Sequence, residues 1–108
     1  MMDEQRYRTL VDETFRYIDD AFADVDPDQA ESTLSQGALT VVFPGAIRCI
    51  ISPQPPVRQI WLAFKDRAWH FDYEEKNRRW LDDRGQGMDL YRQVEEIAKE
   101  AGGVTISL

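Results

Sequence analysis

The sequence predicts an α+β fold: a two-layer α–β sandwich, with an N-terminal and a C-terminal helix packed on one face of an antiparallel sheet of five to six strands. Three observations carry that expectation. Apolar residues recur at three- and four-residue spacing near both ends of the chain. The middle, from about Ser32 to Asp82, alternates apolar and polar residues in short runs parted by Gly, Pro and charged residues. The loops between those runs are too short for the crossover that a parallel pair requires. The 108 residues suit one domain, 1–108, and hold no internal repeat or linker.

In the first helix, Tyr7, Leu10, Val11, Thr14, Phe15, Ile18 and Phe22 form the apolar face. Asp12, Glu13, Arg16, Asp19, Asp20 and Asp24 form the other, and Asp24-Val25-Asp26-Pro27 is the stop signal. This reading carries the helix through Asp24 and sets Asp20 and Asp24 one turn apart, close enough to share an ion. Acids at a helix C-terminus oppose the macrodipole and cost roughly a few tenths of a kcal/mol each. A broken local rule of this kind points to function.

Leu39, Val41 and Phe43 then alternate with Thr40 and Val42, between the turn signals Gln36-Gly37 and Pro44-Gly45. Ile47 to Ile51 follows and is ended by Pro53, Pro55 and Pro56. Two further strands run from Gln59 to Phe64 and from Trp69 to Tyr73, and a short one lies around Trp80-Leu81. The last helix runs from about Asp89 to Glu100, with Leu90, Val94, Ile97, Ala98 and Ala101 as its stripe and Gly102-Gly103 as its stop. The alternating tail Val104 to Leu108 is expected to pack against the domain. Leu10, Phe15, Ile18, Leu62 and Val94 are the predicted core.

Apolar residues make up 43% and charged residues 31%, which fits a globular chain. No apolar run approaches the roughly 18–20 residues of a membrane span. The start, Met1-Met2-Asp3-Glu4-Gln5, is polar and acidic, unlike a signal peptide, so a cytoplasmic location is expected. One cysteine, Cys49, and one histidine, His70, exclude multi-cysteine zinc or iron–sulfur sites and two-histidine zinc motifs. Cys49 is expected to point inward as an inert small hydrophobe. Gly85-Gln86-Gly87 is too short for a phosphate loop.

The charge is lopsided. Residues 1–31 hold ten acids against three bases, −7, and the other 77 residues balance. Such a field disfavours nucleic acid and anionic membrane and favours cations or a basic protein surface. From Asp19 to Glu31 there are six carboxylates and no base. Carboxylate oxygens are hard ligands for Fe³⁺, Fe²⁺, Mn²⁺, Ca²⁺ or Mg²⁺. A solvated acidic face that keeps the protein soluble produces the same pattern.

Alternation also sorts the central strands. Ile60, Leu62 and Phe64 share one face with Trp69, Phe71 and Tyr73 on the next strand; Gln59, Trp61, His70 and Asp72 take the other. The richer apolar sets belong under the helices. The uncovered face then shows Trp61, a residue type enriched at binding hot spots. A Trp folded flat over its neighbours, or a reversed face assignment, is the alternative.

Gln59-Ile60-Trp61-Leu62-Ala63 followed by Trp69-His70-Phe71-Asp72 resembles the sheet signature of the frataxin family, in its bacterial branch. The acidic first helix, Gly37-Ala38-Leu39-Thr40, Trp80 and Asp83-Arg84-Gly85 extend the resemblance from about Tyr7 to Leu108. The resemblance implies a role in iron–sulfur cluster biogenesis, as an iron donor or regulator that is not an enzyme, is expected to be a monomer, and docks on the cysteine desulfurase–scaffold complex. It implies weakly bound iron, Fe²⁺ or Fe³⁺, on an acidic ridge of Asp19, Asp20, Asp24, Asp26, Asp28 and Glu31. Asp19, Asp20 and Asp24, with Gln59, Trp61, His70 and Asp72, are the expected partner contacts, as two adjoining features. Ala23 and Ser32 stand where close bacterial relatives carry acids, and Pro27 stiffens a loop that is about one residue shorter, which thins any metal site at the first strand. A ferroxidase and a metal-independent acidic adaptor for a basic protein are the alternative readings. The usual di-iron oxidase motif, Glu-x-x-His in a helical bundle, is missing from the sequence.

Overall fold

Helix α1 spans Glu4–Phe22 in the computed structural model, which describes residues 2–108 and leaves Met1 outside. Asp3 caps it: its carboxylate accepts from the Arg6 N–H at 2.8 Å. Tyr7, Val11, Thr14, Phe15, Ile18 and Phe22 are its buried residues. Leu10, expected in the core, is only half-buried, because it lies on the flank of that stripe beside a groove between the helices. The helix also ends earlier than expected. Ala23 and Val25 N–H donate three residues back, to the Asp20 and Phe22 carbonyls at 3.1 Å, which tightens the last turn. Asp24 therefore lies just past the helix, in the turn that follows the Ala23 cap.

Six strands follow: β1 Glu31–Ser35, β2 Ala38–Phe43, β3 Ile47–Gln54, β4 Gln59–Phe64, β5 Arg67–Glu74 and β6 Arg79–Asp82. They form an antiparallel meander in chain order. β1 is the strand that alternation does not reveal. It reads Glu-Ser-Thr-Leu-Ser, with one apolar residue, and all but Ser32 are exposed. The β1–β2 loop is two residues, Gln36 (φ 54°) and Gly37 (φ 80°), a hairpin turn with both residues left-handed. Helix α2, Leu90–Gly102, is capped by the Asp89 carboxylate at its start and by left-handed Gly103 (φ 62°) at its end. A Cβ on Gly102 would lie 2.8 Å from the Gln29 carbonyl oxygen, so only glycine lets α2 approach the acidic loop this closely.

Both helices cover one sheet face. Leu39, Val41, Phe43, Cys49, Ile51, Ile60, Leu62, Phe64, Phe71 and Trp80 are buried with Ile18, Leu90, Val94 and Ile97. Each fully buried large aliphatic side chain contributes about 1.5–3 kcal/mol. The Tyr7 hydroxyl fixes α1 against the sheet, donating to the Gln59 carbonyl at 2.5 Å and accepting from the Gln54 N–H at 2.9 Å. Trp80 Nε1 donates to Thr14 Oγ1 at 3.3 Å. The tail packs as expected: Val104 and Ile106 are buried, and the Leu108 N–H donates to Glu95 Oε2 at 2.7 Å. Cys49 is buried, and burial pushes its thiol up to about 12, so it stays an unreactive thiol at neutral pH.

One buried acid anchors a loop. Asp82 accepts from the backbone N–H groups of Arg84 (2.9 Å), Gln86 (3.3 Å) and Met88 (2.9 Å). Burial works to raise its pKa, but the three N–H donors outweigh it and hold the carboxyl below its ordinary value. A depressed carboxyl stabilises the fold above its unfolded pKa and loses that contribution as pH falls through the folded value. Asp82→Asn should lower unfolding free energy at pH 7 by about 1–2 kcal/mol. Denaturant melts of both proteins should show the gap closing between about pH 4 and more acid conditions; equal stability at pH 7 would show that the loop needs no anchor.

Candidate functional site

The six ridge acids come from three places. Asp19 and Asp20 close α1, Asp24, Asp26 and Asp28 lie in the connecting loop, and Glu31 opens β1. Asp19 is half-buried, because Ser32 Oγ donates to its Oδ1 at 2.5 Å and ties the helix end to β1. Asp26 shapes the loop: its carboxylate accepts from the Asp28 N–H at 2.9 Å, and its carbonyl accepts from Gln29 and Ala30. Asp20, Asp24, Asp28 and Glu31 are exposed. Glu31 pairs with Val42, which places its side chain on the open sheet face, while Ser32 pairs with inward Val41. The acids therefore wrap around the sheet edge rather than line one surface.

Seven Lys or Arg ion pairs and one His70–Asp83 contact form among the described residues, and none includes an acid between 19 and 31. Elsewhere Glu4, Asp12, Glu74, Glu75, Glu96 and Glu100 each face an Arg. Asp19, Ala23, Pro27 and Glu31 border a shallow groove of about 340 Å³. Among the described residues, no three His, Cys, Asp or Glu side chains are gathered as a preformed metal cage. What the ridge supplies is hard oxygen donors at high local charge, open to water, which suits loose and exchangeable cations.

The open face carries the other predicted residues. Gln59, Trp61, His70 and Asp72 lie together on β4 and β5, with Trp61 paired to His70 and Gln59 to Asp72. The Trp61 and His70 rings stack flat, 4.1 Å between centroids and 12° between planes. Trp61 Nε1 donates to Gln59 Oε1 at 2.8 Å. Gln59 Nε2 in turn donates to Asp72 Oδ1 (3.0 Å) and Asp83 Oδ2 (3.2 Å), and His70 Nδ1 lies 3.6 Å from Asp83 Oδ2. This network holds Trp61 half-buried as a rigid plate. Asp83 is the member that sequence reasoning missed; the register that pairs Phe71 with Asp82 sets it beside His70.

The two features do not adjoin. Glu31 and Trp61 are three strands apart, about 14 Å, and about 13 Å apart along the strands, roughly 20 Å in all. The face between them shows Thr40, Val42, Ile50 and Ala63, with Ile50 41% exposed. A larger groove of about 950 Å³ lies between α1, α2 and β6, but its arginines are balanced by acids, among them the Arg6–Glu75 pair.

The frataxin-like domain model matches residues 1–104. The iron-sulfur cluster assembly protein CyaY of Pseudomonas fluorescens is 39% identical over 102 residues, covering 94% of this chain and 91% of that protein. The protein of the same name from Pseudomonas syringae pv. syringae is 38% identical over 105 residues, covering 97% and 94%. Among solved structures, frataxin from Psychromonas ingrahamii superposes with a TM-score of 0.87 over 98% of this chain and 97% of its own, at 23% identity, a likeness of fold. Trimeric frataxin from Saccharomyces cerevisiae in its ferrous complex superposes with a TM-score of 0.61 at 26% identity, over 96% and 89%.

Since Asp20 and Asp24 have no ion-pair partner, replacing both with lysine should leave the fold intact. It removes like charges and complements the helix C-terminus, so Tm should hold or rise by about a few degrees in a circular-dichroism melt. A clear fall in Tm would reveal structural partners for these acids.

Proposed function

This chain belongs to the frataxin-like family, and from that premise we propose that it serves iron–sulfur cluster assembly as a non-catalytic, cytoplasmic iron donor or regulator. Iron is its cargo. Fe²⁺ or Fe³⁺ is held by carboxylates of Asp19, Asp20, Asp24, Asp26, Asp28 and Glu31, and released readily because the ligands stand on three elements open to solvent. The partner is the cysteine desulfurase–scaffold complex, met by the ridge and by the plate of Trp61, His70, Gln59 and Asp72. The observation that supports this reading best is that all six ridge acids are left out of every ion pair, while six acids elsewhere are each paired with an Arg. Uncompensated carboxylates attract iron and a basic surface alike, so docking and metal loading compete for the same oxygens. The two contact zones, roughly 20 Å apart, require a broad partner surface. The relatives named for iron–sulfur cluster assembly lend the same support. No helix of the described residues is long and apolar enough to cross a membrane.

Iron titration followed by amide NMR tests the cargo site. Amides of residues 19–31 should broaden or shift first, with α2 unaffected. Broadening centred on α2 would contradict the ridge as the iron site.

A further inference from the structure

The two edges of the sheet are treated differently. β6 is covered, since the Asp82 N–H donates to the Met88 carbonyl at 2.9 Å and Leu81 bridges to Asp89. β1 pairs with β2 on one side only. The two-residue β1–β2 turn makes Ser35–Ala38 a hydrogen-bonded pair, and with it Thr33–Thr40 and Glu31–Val42. The N–H and C=O groups of Ser32 and Leu34 then point outward, and among the described residues none of them has a partner. β1 has none of the lysines, prolines or bulges that commonly block such an edge. Beside it runs a groove of about 580 Å³ between α1 and the sheet, lined by Phe15, Leu34 and Pro53 and by Arg8 and Arg16, which pair with Glu4 and Asp12 on the same helix. Leu34 is 36% exposed at its mouth.

We propose that the outer edge of β1 receives an extended segment of a partner protein as a seventh, antiparallel strand, with an apolar residue opposite Leu34 and basic residues opposite Ser32 and Glu31. Main-chain bonds to Ser32 and Leu34 give the register. Directly opposed residues share a face, so the residue facing Leu34 enters the groove, while those facing Ser32 and Glu31 meet Asp19 and Glu31. Charge selects the occupant. The end of β1 that carries Glu31 lies in the segment with the whole net charge of −7, so a basic strand is attracted. A second copy of this chain would set two such segments against each other and is repelled. The strand shares the ridge with the function proposed above but needs no iron.

The probe is the capped peptide Thr-Thr-Ile-Thr-Arg-Lys, titrated into metal-free protein with amide NMR. The Ser32 and Leu34 amides should shift and become protected from exchange. A peptide N-methylated at Ile and Arg keeps its charge and side chains but loses the N–H groups that face β1, and should bind about tenfold more weakly or worse. Leu34→Pro removes one outward N–H and leaves the ladder to β2 intact; it should cause a similar loss with native circular dichroism. Equal affinity of the N-methylated peptide would overturn the added strand while leaving charge-driven docking on the ridge in place. Shifts centred on Trp61, no binding at millimolar peptide, or concentration-dependent dimers of the free protein would also overturn it.

Discussion

Six strands offer one apolar face, and two helices must cover it. That constraint sets most of the molecule. The inward set from Leu39 to Trp80 is buried only because α1 and α2 lie side by side over it. Edge-to-face aromatic contacts, Phe22 on Phe43 and Phe43 on Phe64, carry the packing from helix to sheet centre. Tyr7 and Trp80 then fix where α1 sits, because the Tyr7 hydroxyl bonds to the backbone of Gln59 and Gln54 and the Trp80 N–H to Thr14. With both helices committed to one side, the other face and the β1 edge stay open, and these are the surfaces left for binding.

The acidic ridge is the place where the sequence departs from what stability favours. Acids at the end of α1 oppose the helix dipole, and none of those between Asp19 and Glu31 is neutralised by a base. The fold holds the segment by other means: Ser32 to Asp19, the turn closed by Asp26, and the close approach of Gly102 to Gln29. Backbone and neutral contacts fix the chain, and the charges stay available to cations and basic surfaces.

Much of this was legible from local pattern. The helical face from Tyr7 to Phe22, the alternation of the central strands and the open-face set around Trp61 follow from the 3.6- and two-residue periods. What escaped depended on distant pairing. β1 is polar and exposed, so nothing in Glu31 to Ser35 alternates; the family resemblance alone puts a first strand there, and its pairing with β2 is what makes it one. Helix α1 ends at Phe22, short of the Asp24 that the pattern suggests, because the tightening of its last turn leaves no compositional mark. Asp83 beside His70, the Asp82 anchor, and the separation of ridge from Trp61 are set by the register of the paired strands, which the sequence leaves open.

The central claim is that the ridge acts through long-range charge and the sheet face through contact. The direct measurement is the rate of association with, and dissociation from, the desulfurase–scaffold complex, from low to high salt. Asp20→Lys with Asp24→Lys should slow association about tenfold or more at low salt and little at high salt. Trp61→Ala should instead speed dissociation at both, because a desolvated aromatic anchor typically carries about 2 kcal/mol or more. Association of the lysine variant at the unsubstituted protein's rate in low salt would contradict the account.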